Sequence, residues 1–370
     1  MNILWLTNIP SPYRVDFFNL LGERCQLTVL FEKEKASDRN KNWGTVEFKS
    51  FRGVILNGVS TGADNAFCLN VASWLQKDKY NVIVVSNYST PTGMLAIQIL
   101  RCRKIPFVIE VDGGFAKNGL GFKERIKKYL LGSAKYWLSS GKITTEYLIA
   151  YGAQKERIFW YPFTSLRQSE VARDISEISE KKQLRSELSI SGERVVITVG
   201  QFIHIKGFDV LIKAWANMDS CYTLLIIGGG ELESEYRKSI EQLSLDNVMV
   251  IGFKQKEELF KYYKAADLFV LPTREDIWGL VVNEAMACGL PVITTDKCIA
   301  GVELIEDNVN GVIIPAENVE MLSKKVHDIL SHEELLNKMA HNSLERIKDF
   351  TLEKMVQVHM NLFGKMELLD

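Results

Sequence analysis

No apolar run in this chain reaches the roughly 18–20 residues that a membrane-crossing helix needs. Met1-Asn-Ile-Leu-Trp-Leu lacks the basic segment and cleavage site of a signal peptide and reads as a first β-strand. The six cysteines (Cys25, Cys68, Cys102, Cys221, Cys288 and Cys298) have no metal-type spacing and mostly sit in apolar surroundings. Reduced thiols in a cytoplasmic protein fit that pattern. No Asp-x-Asp pair stands near the candidate site described below, so neither a metal nor another cofactor is expected. No Gly-x-Gly-x-x-Gly follows the first strand, where a nicotinamide-dependent oxidoreductase would need it. Without an aromatic stacking platform or a known recognition module, nucleic acid is not an expected partner. Repeats and low-complexity tracts are missing too.

What is present suits two globular domains: 370 residues, 46% hydrophobic and 25% charged. The net charge of −1 is unevenly divided. Residues 1–165 carry 22 Lys+Arg against 13 Asp+Glu, or +9, and the remainder carries 23 against 33, or −10. A front half so basic is expected to face something anionic. Short apolar runs alternate with helical patterns. Strands read at Ile3–Leu6, Leu27–Phe31, Val82–Ser86, Pro106–Val111 and Tyr136–Leu138, with helices at 15–21, 67–76, 92–101, 122–131 and 143–151. The rhythm lapses from Trp160 to about Ile178. It restarts with strands at Val195–Val199, Leu224–Ile227, Val248–Ile251, Leu268–Leu271 and Val292–Thr294. The expected architecture is α/β, with two Rossmann-like doubly wound domains, 1–165 and 166–350, and an interdomain cleft at the carboxyl ends of the strands. The amphipathic segment 351–370 is expected to form a helix packing across the domain boundary.

The most informative stretch is Pro272-Thr-Arg-Glu-Asp-Ile-Trp-Gly-Leu-Val-Val-Asn-Glu-Ala-Met-Ala-Cys-Gly-Leu-Pro-Val-Ile293. It leaves a strand, passes an acidic loop and enters an apolar helix that holds one carboxylate, Glu284. Such a carboxylate is costly unless something polar meets it; a ribose diol would. Gly279 and Leu280 offer free N–H groups at the helix start, suited to a diphosphate or sugar oxygen. Two more loops follow strands. In Val199-Gly-Gln-Phe-Ile-His-Ile-Lys-Gly207, Gly200 permits a sharp turn and Lys206 precedes a helix, where a cation opposes the helix dipole unless an anion engages both. Ile227-Gly-Gly-Gly-Glu231 places Gly228 and Gly229 where a backbone can approach a ligand closely, although many strand–helix turns need such glycines for packing alone. Strand, acidic loop, helix N-terminus and inward Glu suit a polyhydroxylated, negatively charged ligand such as a nucleotide sugar.

In the first half, Asn8-Ile-Pro-Ser-Pro-Tyr-Arg14 follows the first strand. Asn8, Tyr13 and Arg14 are candidate acceptor contacts, with Arg14 able to meet an acceptor phosphate; a proline-stiffened turn is the plain alternative. The segment 122–131 mixes Lys123, Arg125, Lys127 and Lys128 with Phe122, Ile126, Tyr129 and Leu130. It reads as a helix packed on its sheet with a solvated basic face, or as a peripheral contact with an anionic membrane at its inner face.

In Lys206-Gly207, the Gly228–Gly230 turn and Glu275–Ile293, the chain resembles the family-4 retaining glycosyltransferases, which have the two-domain GT-B fold. The resemblance covers the second half in order and spacing; in the first half it rests on the strand–helix rhythm. It implies that Glu284 binds the ribose and that Asp276, one methylene shorter than the family's glutamate, approaches the donor sugar, with Glu275 beside it. Ile277, Trp278, Gly279 and Leu280 would line sugar and diphosphate. Gln201 stands where the family has an arginine, so Lys206 and helix N-termini would carry more of the diphosphate charge. Asp112 stands where the family often has a histidine; it would meet a sugar hydroxyl or the acceptor nucleophile, or cap its own loop. The implied activity is retaining, metal-independent transfer of a hexosyl unit from a nucleotide sugar to a glycan or lipid-linked acceptor, in surface polysaccharide or glycolipid synthesis. A nucleotide-sugar epimerase of similar shape and a catalytically lapsed sugar-nucleotide-binding protein are the alternatives.

Overall fold

The computed structural model describes residues 1–35, 47–116 and 121–368. They form two compact units, Met1–Ser165 with Thr351–Asp370, and Leu166–Phe350. The first unit contains β1 (Asn2–Thr7), β2 (Gln26–Phe31), β3 (Arg52–Ile55), β4 (Val59–Ser60), β5 (Ala66–Phe67), β6 (Val82–Val85), β7 (Val108–Val111), β8 (Tyr136–Ser139) and β9 (Ile158–Trp160). Seven of them form one parallel sheet in the order β3-β2-β1-β6-β7-β8-β9, and β4 pairs with β5 apart from it. The central strands are near-continuous apolar runs because helices cover both faces of the sheet; Ile3, Leu4 and Trp5 have no exposed surface.

One carboxylate lies inside this sheet. Glu110 of β7 is 1% exposed. It accepts from Ser86 Oγ at 2.7 Å, and Arg14 Nη1 stands 2.9 Å away. Its third neighbour is His359 of the C-terminal helix Leu352–Leu368, 3.6 Å distant. Burial opposes the Glu110 charge, but Arg14 and His359 outweigh it and hold the acid below its usual range. The helix belongs to the first unit, packing on the helix Pro12–Gly22. The His359 ring sits 5.0 Å from Phe17 and 4.8 Å from Tyr161, centroid to centroid.

The second unit contains β10 (Arg194–Gln201), β11 (Tyr222–Gly229), β12 (Val248–Ile251), β13 (Leu268–Leu271), β14 (Val292–Thr295) and β15 (Gly311–Ile314). They form a parallel sheet in the order β12-β11-β10-β13-β14-β15. Its strand order reverses between β10 and β13, as that of the first sheet does between β1 and β6. Loops after those strands flank a crevice, where doubly wound sheets take their ligands.

The two-sheet α/β expectation agrees with this architecture. The helix expected at 67–76 is instead strand β5 followed by a single 3-10 segment, Leu69–Ser73. The Ala66 N–H is donated to Glu32 and the Cys68 N–H to Thr92 Oγ1, each at 2.9 Å, which draws this backbone away from a helical ladder. Leu69 is 66% exposed, so the segment also lacks a buried stripe. Strands β3, β4, β9 and β15 went unread; β4 has two residues, and the other three are short edge strands with little pattern to read.

The helix Ile178–Glu187 is fastened to the second sheet by Asp267, just before β13. Its carboxylate accepts from Arg185 at 2.6 Å, Lys181 at 2.9 Å and the Val195 N–H at 2.8 Å. Asp267→Ala leaves the Arg185 guanidinium buried without its counter-charge. A loss of about 3–5 kcal/mol is expected, read as a lower urea midpoint for this unit. An unchanged midpoint would show that the pairing contributes nothing.

Candidate active site

At the second unit's switch point the backbone is held by glycines. Gly200 and Gln201 pair with Gly228 and Gly229 at the ends of β10 and β11. A Cβ on Gly228 (φ 153°) would fall 1.9 Å from the Gly200 carbonyl oxygen, whereas one on Gly229 would meet nothing within 4 Å. The first glycine serves close strand packing and the second faces open space. The Gln201 side chain is exposed at the strand end. The loop then turns at Gly207 (φ 68°), where a Cβ would sit 2.1 Å from the Pro272 carbonyl oxygen. This contact draws the Lys206 loop against the loop that leaves β13. Thr273 Oγ1 and the Arg274 N–H both donate to the Ile205 carbonyl at 2.8 Å.

Lys206 Nζ lies 2.5 Å from Asp276 Oδ2, with both side chains largely buried. Two residues 70 positions apart thus meet at the crevice. The Asp276 backbone is fixed as well: its N–H donates to the Lys297 carbonyl at 2.9 Å, and its carbonyl accepts from Ile299 at 3.2 Å. Glu275 and Ile277 point outward and are exposed. The Trp278 ring does not line the open side of the loop as expected. It is 3% exposed and its Nε1 donates to Asn283 Oδ1 at 2.8 Å, because an indole of that size stabilises the fold most when buried with its N–H satisfied. Gly279 (φ 98°) opens the helix Leu280–Ala287, and a Cβ there would lie 2.9 Å from Cys298 Sγ.

Glu284 follows on that helix. Tyr263 Oη donates to its Oε2 at 3.2 Å. Burial is the main cause that pushes its acid up to about 7; nearby Glu170 acts in the same direction, while Lys256 and Tyr263 oppose it. Lys256 is itself paired with Glu170 at 2.8 Å. Glu284 is thus a buried carboxyl group whose protonation state changes near neutral pH.

The first-unit candidates cluster at the carboxyl edge of their own sheet. Arg14 is 5% exposed. Its Nη2 donates to both Asp112 oxygens at 2.7 and 2.6 Å, and Nη1 meets Glu110. This guanidinium is committed to two carboxylates, which corrects the expectation that it reaches an acceptor phosphate. Asp112 also accepts from Tyr161 Oη at 2.8 Å and keeps part of its surface open. Asn8 Nδ2 donates to Asp64 Oδ2 at 2.6 Å, and Asn8 Oδ1 caps the Ile9 N–H. The Tyr13 ring packs edge-on against Phe163 at 6.0 Å.

Asp64, Tyr263 and the pair Arg274–Asp209 hold these groups in place and were not singled out from sequence. No local pattern marks them, since each acts on a residue 21 to 65 positions away. Among the described residues, no group of three or more His, Cys, Asp or Glu side chains is arranged to hold a metal.

The raised Glu284 acid has a consequence for stability. The folded state binds its proton more tightly than the unfolded chain does. The stabilisation is therefore present below the ordinary carboxylate range and lost as pH rises through about 7. Glu284→Gln removes the ionisable group. It is expected to melt higher than the wild type at pH 8, with the gap closing at pH 5; equal melting temperatures at both would show that the carboxyl is not desolvated.

Residues 179–346 match the family model described as glycosyl transferases group 1. An uncharacterized glycosyltransferase of Methanocaldococcus jannaschii is 31% identical over 158 residues, 43% of this chain and 44% of that protein. The O-antigen chain mannosyltransferase C of Escherichia coli is 26% identical over 205 residues, 55% of this chain and 53% of that protein. The chain thus spans about half the length of these curated relatives. In fold, it is similar to the crystal structure of Anabaena HepE in complex with UDP, with a TM-score of 0.80 at 19% identity over 99% of this chain and 100% of that one. Its two parallel-sheet units have the GT-B fold, and residues 179–346, a little under half of the chain, are similar to the group 1 glycosyl transferases.

Proposed function

We propose that the chain transfers a hexosyl unit from a nucleoside-diphosphate sugar to a glycan or lipid-linked acceptor, with retention at the anomeric carbon, in the synthesis of a surface polysaccharide or glycolipid. The observation that carries this reading is the meeting of Lys206 and Asp276 on switch-point loops that open the helix bearing Glu284. HepE, whose fold this chain shares, is described in complex with UDP and with UDP-glucose, which supports a nucleotide-sugar donor. The mannosyltransferase relative and the amylovoran biosynthesis glycosyltransferase AmsK of Erwinia amylovora support a polysaccharide product.

In the proposed mechanism Glu284 accepts hydrogen bonds from the ribose diol. As the bond from the anomeric carbon to the diphosphate breaks, negative charge gathers on the β-phosphate. Lys206 and the N–H groups at Gly279 and Leu280 stabilise it where it develops, and Asp276 orients the sugar hydroxyls. The acceptor meets the carboxyl edge of the first unit near Asp112. These groups supply the positive potential without a metal.

The basic front half carries a second contact in this proposal. On the helix Phe122–Leu131, Phe122 is 78% and Tyr129 50% exposed. Arg101 stacks over the Tyr129 ring at 4.0 Å, while Lys123, Arg125 and Lys128 are exposed beside them. Lys127 turns inward over Tyr147 and Tyr151. An apolar ring among outward cations suits an anionic membrane surface.

A thermal-shift screen over UDP-, GDP- and ADP-sugars tests the donor reading. At least one is expected to raise the melting temperature, with binding that strengthens as pH rises through about 7 because the ionised Glu284 is the better acceptor. Glu284→Ala should abolish that shift, and no shift with any donor would overturn the reading. With the donor sugar, Lys206→Ala is expected to cost mainly turnover, on the order of 2–4 kcal/mol of transition-state stabilisation, because the charge that Lys206 meets is fully developed only on the departing diphosphate. Transfer should survive excess EDTA; complete loss would require a metal. Sedimentation with anionic but not zwitterionic vesicles, weakened by Phe122→Ser, is the outcome expected of the membrane contact, and equal sedimentation with both would refute it.

A further inference from the structure

We propose that Arg274 is a positioning residue: its guanidinium ties three carboxyl-edge loops together and so fixes the Lys206 ammonium at the diphosphate site. The inference rests on the donor reading above. It goes further in assigning the accuracy of that cation to a side chain that touches no substrate.

The side chain is inward-facing, with 16% of its surface exposed. Nη1 donates to the His204 carbonyl at 2.6 Å and to Asp209 Oδ1 at 2.8 Å, and Nη2 donates to Asp209 Oδ2 at 2.9 Å. Nε bonds Glu317, which lies in a left-handed turn (φ 64°) after β15. Its own backbone N–H holds the Ile205 carbonyl at 2.8 Å. Lys206 is therefore bracketed. Residues 204 and 205 before it and Asp209 after it are anchored to one residue of the acidic loop. The mutual charges lift the Arg274 pKa above its ordinary value, led by the hydrogen bonds to Asp209. Burial works against the Asp209 charge, but Arg274 outweighs it and holds that acid below its usual range.

The geometry calls for arginine. A planar fork bonds a carboxylate with two N–H groups while a third reaches another acid; an ammonium offers one compact point of charge. Lys206 Nζ stands at the end of a four-carbon stem, so a small shift of its backbone moves the charge off the phosphate. The loop keeps other anchors beside the fork: Thr273 Oγ1 also holds the Ile205 carbonyl, and Thr295 Oγ1 holds the Thr273 carbonyl at 2.6 Å.

The test compares UDP with uridine, by calorimetry on the full chain, for the wild type, Arg274→Lys, Arg274→Ala, Asp209→Asn, Lys206→Ala and the Lys206→Ala/Arg274→Ala pair. Should another nucleoside diphosphate give the shift in the donor screen, it and its nucleoside replace these two. Arg274→Ala and Asp209→Asn are expected to weaken UDP by roughly tenfold, the value of a displaced charge-assisted hydrogen bond, and to leave uridine unchanged. The double variant should bind UDP no worse than Lys206→Ala alone, since one residue acts through the other. Arg274→Lys should not restore affinity. A merely structural role predicts equal losses for UDP and uridine, or additive losses in the double variant, and either result overturns the proposal. If the wild type binds no nucleoside diphosphate, the donor reading fails and the proposal falls with it. If the wild type binds UDP and both Arg274→Ala and Asp209→Asn bind it equally well, the donor reading stands and the positioning role alone is refuted.

Discussion

Both large sheets are wholly parallel and covered by helices on both faces. Interior strand residues are then mostly apolar, Glu110 being charged but paired, and most polar chemistry falls at strand ends. The carboxyl ends gather it because parallel connection brings every strand out of the sheet on that side, with the next helix N-terminus close behind. Glycine decides how closely the loops approach: Gly207, Gly228 and Gly279 each stand where a methyl group would strike backbone or sulfur. Lys206 and Asp276 reach one region because two strands distant in sequence are neighbours at the reversal of strand order.

Cations at these edges are matched by the chain's own anions. Lys206 faces Asp276, Arg274 faces Asp209 and Glu317, and Arg14 faces Glu110 and Asp112. In the proposed donor site, a phosphate reaching Lys206 would exchange one partner for another. Such an exchange costs less than dehydrating a bare ammonium, and it keeps the side chain ordered beforehand. Arg14 is different in kind, for it is enclosed between two carboxylates, and its removal would leave Glu110 to Ser86 and His359 and Asp112 to Tyr161.

Much of this was legible in the chain itself. The strand rhythm foretold two parallel sheets, and the Pro272–Ile293 stretch foretold an acidic loop opening an apolar helix, because local spacing alone carries both signals. Edge strands β3, β9 and β15 escaped because so few residues bear an alternation. The segment after β5 was misread because Glu32 and Thr92, far away in sequence, claim its N–H groups. Trp278 sat in the right loop, but sequence does not tell which way a ring turns. Arg14 reads as a free basic group until the topology brings Glu110 and Asp112 beside it.

The second unit is spliced into the first, since residues 351–368 return to the sheet begun at residue 2. During synthesis the sheet of β1 through β9 leaves the ribosome long before His359 is made. Until then the flank of Trp5 and Phe17 lies bare, and Glu110 lacks one of its partners. The unit translated first is therefore finished last, while the inserted one can close as soon as Phe350 has emerged. Shortening the chain by its final twenty residues would injure the unit with which the chain begins.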